Sequence, residues 1–369
     1  MKIVISGFYG LGNTGDEAIL KSIIDNIRSE VDKPQITVLS LSPEETAKTH
    51  NVHSIYRGWR HQNKMKIRAL RKADVLISGG GGLLQDTYPT KFLFGPLPYY
   101  LLVVLLAKLV GTKVMFFSQG IGPVTSKWGK FLMRTLANKA DFVTVRDQYS
   151  KDYLEKLGVT KPETVVTADI VFGMKPSDDD RLYKSLPLKG DETLAAVSVR
   201  PWFTNEEYYE KLAKSLDELI EKRGVTPVFV PMEGKYDVTA SEDVKKHMKH
   251  SDKTMMLERD ATPSQYLNFI SKCDITIALR LHALIFSALS NVPHVGISYD
   301  KKVESLLNRS GMWPYSFRLE ELDSDKLVEN AIHLLDNAED EKSKMAPRVD
   351  AMRSDAMENL VLLNKHFGK

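Results

Sequence analysis

An arginine and a histidine two positions apart, Arg280 and His282, stand between an apolar strand pattern at 274–278 and an apolar helix pattern at 283–290. Two lysines, Lys301 and Lys302, follow the next strand pattern at 293–299. Together these make a βαβ unit, and in open parallel sheets ligands bind outside the carboxyl ends of the strands. A cation, an imidazole and another cation at one such mouth suit an anionic substrate that must also exchange a proton. A lone histidine in an apolar run is more often a packed one. Here Arg280 at the helix start sets His282 apart, and a bound anion would favour a protonated imidazole. The other histidines read as surface or structural residues. No His-Glu-x-x-His motif, acidic cluster or histidine pair at ligand spacing occurs, so no catalytic metal is expected.

Other candidates fall at the ends of other strand patterns. Arg146, after the pattern at 142–145, is placed to grip a carboxylate or phosphate in bidentate fashion, or else to form an ion pair with Asp147 or a helix-start acid. Arg200, after the pattern at 194–199, takes the corresponding place in the second half of the chain. The first loop contains Gly10, Gly12 and Gly15 in a G-x-G-x-x-G spacing after a strand and before a helix. A dinucleotide fingerprint also needs an acid at the end of the second strand, and Thr37-Val-Leu-Ser-Leu-Ser-Pro43 has none. The loop is therefore read as bringing Asn13 and Asp16 to sugar hydroxyls, or as simple helix capping by Thr14 and Asp16. Four glycines in Ser78–Asp86 and two in Ser118–Pro123 are read as loops that line the acceptor site, with Gly80, Gly81, Gln85, Asp86 and Gln119 as its candidate contacts.

The elements that must position these residues alternate. Strand patterns at 3–6, 36–39, 75–78, 114–117 and 142–145 are separated by helical patterns at 16–27, 64–72, 98–109 and 127–137. A second series has strands at 194–199, 227–230, 255–257, 275–278 and 294–298, with helices at 205–223, 240–250 and 263–271 between them. Such alternation argues for parallel sheets covered by helices on both faces. The polar stretch 174–192 is the natural linker. The expected architecture is α/β, with two doubly wound Rossmann-like domains facing across a cleft in a GT-B-like plan. Residues 1–180 form the first, acceptor-side domain; residues 190–345 form the second, donor domain; and a helix at 346–369 crosses back onto the first.

Composition narrows the class. At 369 residues the chain exceeds one ordinary core, and 43% hydrophobic with 27% charged residues is that of a soluble globular protein. A net charge of +3, interspersed, gives no footprint for nucleic acid. The single cysteine, Cys273, opens an apolar strand and is read as core; it excludes an internal disulfide and points to a reducing cytosol. The start of the chain lacks the pattern of a secretion signal. The stretch 92–110 is the one candidate for a membrane span, but Pro96 and Pro98 leave about a dozen continuous apolar residues where ~20 are needed. It is expected to be a buried helix. A surface resting on lipid, helped by the basic segment 64–72, is the minor alternative.

Taken together, the motifs resemble those of bacterial polysaccharide pyruvyl transferases of the CsaB type, which modify secondary cell-wall polymers. The resemblance lies in S-G-F-Y-G-x-x-N-x-G-D-E-A-I-L from Ser6, S-G-G-G-x-L-L-Q-D from Ser78, S-Q-G-I-G-P from Ser118, V-R-D-x-x-S from Val145, L-R-L-H-A from Leu279 and Y-D-x-K-V from Tyr299. Lys301 stands where many members have proline, and Thr14 where many have alanine. The resemblance implies transfer of an enolpyruvyl unit from phosphoenolpyruvate to two hydroxyls of one sugar, giving a cyclic ketal and phosphate. His282 would protonate the methylene carbon, and Arg146, Lys302 and Arg280 would hold the donor's carboxylate and phosphate. No cofactor is implied beyond the donor substrate. The implied acceptor is a lipid-linked oligosaccharide presenting N-acetylmannosamine, met at the cytoplasmic face of the membrane. A GT-B glycosyltransferase with a nucleotide-sugar donor is the rival; it would need a glutamate to read the ribose, for which Glu304 is the candidate. A sugar-nucleotide epimerase and a catalytically inert sugar-binding module fit less well.

Overall fold

Every ladder in the two sheets is parallel, because each strand returns through a helix that covers one face. The computed structural model describes residues 1–59, 61–86, 95–201, 207–259 and 261–368. Residues 92–94 of the apolar stretch and 205–206 of an expected helix lie outside the described residues. The chain forms two compact units, one of Met1–Leu11, Asp16–Met174 and Met352–Lys369, the other of Gly12–Gly15 and Lys175–Ala351.

The first unit runs β1 (Lys2–Ser6), α1 (Thr14–Glu30), β2 (Gln35–Ser40), α2 (Pro43–His50), β3 (His53–Tyr56), α3 (Asn63–Lys72), β4 (Val75–Leu84), α4 (Pro96–Leu109), β5 (Lys113–Ile121), α5 (Lys127–Leu136), β6 (Phe142–Val145), α6 (Gln148–Lys156) and β7 (Glu163–Val166). Its seven strands lie in the order β3-β2-β1-β4-β5-β6-β7, so the winding reverses between β1 and β4. Consecutive residues Ile3, Val4 and Ile5 are all buried, as a strand covered on both faces requires. α4 begins at Pro96 and contains Pro98, because first-turn N–H groups have no helical partner to lose. Leu97, Leu101 and Val104 of α4 are buried in the core. No described helix is long and apolar enough to cross a membrane. On α3, Lys64, Arg68 and Arg71 are exposed, whereas Lys66 turns inward to the carbonyls of Arg57 (2.9 Å) and Gly58 (2.6 Å).

The second unit runs α7 (Arg181–Lys184), β8 (Thr193–Ser198), α8 (Glu207–Arg223), β9 (Val225–Phe229), α9 (Gly234–His247), β10 (Met255–Met256), α10 (Pro263–Ile270), β11 (Ile275–Ala278), α11 (Leu281–Leu289), β12 (His294–Ser298), α12 (Lys301–Ser310), β13 (Phe317–Arg318), α13 (Ser324–Asp336) and α14 (Ala338–Phe367). The strand order β10-β9-β8-β11-β12-β13 reverses between β8 and β11. Cys273 is a buried free cysteine whose thiol is pushed well up by burial. The end of α14 belongs to the first unit, where buried Asn359 accepts from the hydroxyls of Thr144 and Thr167.

One expectation is corrected here. The glycine runs are not loops after their strands: β4 continues through Gly79–Gly82 to Leu84, and β5 through Gly120 to Ile121, paired with each other across a register shift between Gly81 and Leu84. Gly80 and Gly81 take left-handed backbone (φ +57° and +68°) at that irregularity.

Candidate active site

At the reversal of the second sheet, β8 and β11 end side by side, and β11 neighbours β12. β11 is fully buried, and charged residues first appear beyond its carboxyl end. Arg280 caps the start of α11 and half-buried His282 lies in its first turn. The Arg280 guanidinium forks onto both carboxylate oxygens of Asp237 and also reaches Glu233 Oε2 at 2.6 Å. Asp237, fully buried in the first turn of α9, additionally accepts from the backbone N–H groups of Met232 (3.0 Å) and Glu233 (2.9 Å). Burial pushes this carboxyl above its ordinary range, with Arg280 opposing the rise. Burial also works against the Arg280 charge, but Asp237 and Glu233 outweigh it and hold the guanidinium protonated. Expected to hold a substrate anion, Arg280 instead has its charge answered by two carboxylates of the protein. Its effect is to pin the start of α9 to the start of α11.

The segment Gly12–Gly15 belongs to this same unit. Thr14 N–H donates to the Met232 carbonyl (2.9 Å), Asn13 bridges Glu233, and Asn13 Oδ1 accepts from Gly15 N–H (3.0 Å). That Asx turn lays Gly15 against His282: a Cβ at Gly15 would lie 2.1 Å from the imidazole Nδ1. Only glycine admits the ring there. Asn13, expected at sugar hydroxyls, is thus found beside the imidazole's support.

Lys302 follows β12 in the first turn of α12, where Asp300 caps the helix by accepting from Lys302 N–H and holds its ammonium at 3.3 Å. Arg200, at the end of β8, lies over the ring of Tyr299 at 4.6 Å and donates through Nη1 to the phenol oxygen at 2.8 Å. The Lys302 ammonium lies 5.6 Å from the same ring centroid. Two helix starts, α11 and α12, therefore follow adjacent strands together with Lys302 and Arg200, and helix N-termini favour anions. With His282 in one of those first turns, the edge can bind an anion and deliver a proton. Glu304, the residue a ribose reader would need, is engaged by Lys301 (2.8 Å) and Arg318 (3.0 Å). Sequence reasoning missed Glu233, Asp237 and Tyr299; for Tyr299 the signal was present, since it opens the Y-D-x-K-V motif.

In the first unit, Arg146 is buried beyond β6. Its Nη1 donates to Asp169 at 3.0 Å, and its Nε lies 3.6 Å from Asp147. The guanidinium covers Gly120, where a Cβ would stand 2.6 Å from its central carbon. The ion-pair alternative for Arg146 is therefore realised, with Asp169 as the nearer partner. Asp86 is likewise engaged: it accepts from the Thr125 and Ser126 N–H groups and both hydroxyls, fastening the turn before α5. Burial raises its carboxyl, but these hydrogen bonds prevail and leave it below the usual range. Gln85 packs against Gly122, and Asp16 Oδ1 approaches Gly81. Gln119, fully buried, donates to the Gly81 carbonyl at 2.6 Å, while its Oε1 has no hydrogen-bond partner among the described residues.

Comparison with known proteins places the chain in a family and a fold. A model of the family "Polysaccharide pyruvyl transferase" matches residues 13–301. The chain is 22% identical to the amylovoran biosynthesis protein AmsJ of Erwinia amylovora over 410 residues, covering 96% of each. Among solved structures it is similar to a putative UDP-N-acetylglucosamine 2-epimerase from Listeria monocytogenes (TM-score 0.70, 13% identity, 99% of this chain and 96% of that one). It is also similar to S. aureus MnaA in a structure with UDP (TM-score 0.66, 13% identity, 99% and 96%). At these identities the structural likeness is one of fold.

Proposed function

Because the chain belongs to the polysaccharide pyruvyl transferase family, we propose that it moves an enolpyruvyl unit from phosphoenolpyruvate to two hydroxyls of one sugar, leaving a cyclic ketal and phosphate. The observation that carries this reading is His282 in the first turn of α11, at the sheet edge that also presents Lys302 and Arg200. His282 gives a proton to the donor's methylene carbon, which builds oxocarbenium character on the neighbouring carbon. A sugar hydroxyl attacks there, and a second hydroxyl displaces phosphate. Lys302, Arg200 and the two helix starts hold the donor's anionic groups and take up the charge that develops on the departing phosphate. Arg280 sets the orientation of the α11 start through Asp237. Arg146 is the anion-gripping candidate of the first unit, where a substrate anion competes with Asp169 and Asp147.

The acceptor is a sugar of an exopolysaccharide or cell-wall polymer, in keeping with the relative named for amylovoran biosynthesis. N-acetylmannosamine on a lipid-linked oligosaccharide is the form we assign to it, with the enzyme in the cytoplasm and the exposed basic side chains of α3 against the inner face of the membrane. Gln119, Gln85, Asp16 and the backbone at Gly80 and Gly81, all of the first unit, are its candidate contacts. The test offers the protein phosphoenolpyruvate or a UDP-sugar, each with a panel of aryl-glycoside acceptors. Phosphate release that requires both phosphoenolpyruvate and an acceptor supports the proposal. Consumption of the UDP-sugar instead would replace it with the glycosyltransferase reading.

A further inference from the structure

We propose that Tyr299 is a further catalytic residue: its phenol oxygen takes the proton of the first attacking sugar hydroxyl and returns it to the departing phosphate. The inference rests on the pyruvyl-transfer reading and adds to it the acid–base group that His282 alone does not supply. Two sugar hydroxyls each lose a proton in this reaction. One imidazole, having already given its own proton to carbon, can accept only one of them.

The geometry singles out Tyr299 from the other tyrosines. It stands directly after β12, at the same sheet edge as His282, and is half-buried. Arg200 donates to its oxygen at 2.8 Å and lies over its ring, and Lys302 approaches the ring from α12. Arg200 is itself held where its carbonyl accepts from the hydroxyl of buried Tyr208 on α8. The charged groups facing the phenol are thus Arg200 from β8, Arg280 from the start of α11, and Lys302 and Asp300 from α12. Burial raises the phenol's proton affinity and Asp300 adds to it. Lys302, Arg200 and Arg280 together more than reverse that, leaving the phenol below its ordinary value. By contrast, the buried hydroxyls of Tyr9 and Tyr100 are pushed up.

The steps balance. Starting from a Tyr299 phenolate, which accepts from Arg200, and a protonated His282, His282 gives its proton to the methylene carbon, the first hydroxyl oxygen bonds to the adjacent carbon, and that hydroxyl's proton moves to the Tyr299 oxygen. The carbon–oxygen bond to phosphate then breaks, with its electron pair leaving on phosphate, and Tyr299 passes its proton there. The second hydroxyl oxygen bonds to the same carbon, and its proton restores His282. One hydroxyl proton replaces the proton His282 gave to the new methyl group, and the other ends on hydrogen phosphate. No oxidant, reductant or further reactant is required.

The experiment measures phosphate release with phosphoenolpyruvate and acceptor across pH for wild type, Y299F and an enzyme carrying 3,5-difluorotyrosine at position 299. Y299F is expected to lose about 10²–10⁴-fold in kcat, with the KM for phosphoenolpyruvate little changed because Arg200 and Lys302 remain. The fluorinated enzyme, whose phenol is more acidic, is expected to move the rising limb of the pH profile to lower pH. It keeps the phenol oxygen that Arg200 bonds, so it decides the matter even if Y299F folds poorly. Wild-type kcat in Y299F, a rise in KM alone, or a fluorinated enzyme that follows the wild-type profile would each overturn the assignment. A wild-type protein inert toward phosphoenolpyruvate would overturn both this inference and the reading beneath it.

Discussion

Replacing Gly15 by alanine separates the fold from the chemistry. The backbone at Gly15 is helical, so alanine there should favour folding by up to about 1 kcal/mol. The new methyl group, however, would lie 2.1 Å from His282 Nδ1, 2.7 Å from Cε1 and 2.8 Å from Cγ. Non-bonded heavy atoms settle at about 3.5–4.0 Å, so the ring must withdraw by more than ~1 Å. A displacement of about 1 Å at a reacting group costs on the order of 10²-fold in rate. Relieving that overlap costs typically about 1–3 kcal/mol, so we expect G15A to stay folded but to melt no higher than wild type, while its kcat for phosphate release falls about 10²-fold. Its effect should vanish in an H282A background, because the two changes act on one ring. Wild-type kcat in G15A would show that the imidazole does not need this position, and would refute the placement of His282 at the reacting carbon.

Other consequences concern stability. D237A leaves the Arg280 charge buried with only Glu233 to answer it, so unfolding by urea should show a loss of about 3–5 kcal/mol; a loss typical of a surface pair would contradict the role given to this fork. His294 is fully buried on β12, and burial pulls its imidazole down to about 4. Between its unfolded value near 6.5 and that folded value the unfolded chain binds the extra proton, so stability falls as pH drops through this window. The full effect is on the order of 3 kcal/mol. H294N should flatten the pH dependence of the melting temperature between pH 7 and 4, and an unchanged slope would count against it. Binding measured by calorimetry should show that H282A still takes up phosphoenolpyruvate, since Lys302 and Arg200 are untouched.

What could be read beforehand followed the range of the interactions. The alternation of strands and helices is a local pattern, and His282 beside Arg280 is visible as a β–α junction, so both appear in the sequence. The partners of Arg280 do not: Asp237 lies 43 residues away, and only the parallel neighbouring of β8, β9 and β11 brings them together. The same holds for Arg146, whose nearer acid proves to be Asp169, and for Asp86, which is spent on a turn 39 and 40 residues on. Strands β3, β7 and β13 mix polar with apolar residues, as HSIY, ETVV and FR, and so leave no apolar run to mark them. The glycine runs misled because flexible residues suggest loops. Their small size instead lets β4 and β5 continue beneath packed side chains such as Ile19 and Arg146.

Running the reaction in D2O tests the central claim most directly. If His282 delivers an exchangeable proton to the methylene carbon of phosphoenolpyruvate, the ketal formed by the wild-type enzyme carries one solvent deuterium in its methyl group, seen by mass and by NMR, and H282A forms no ketal. A product methyl free of deuterium, or full ketal formation by H282A, would contradict the account.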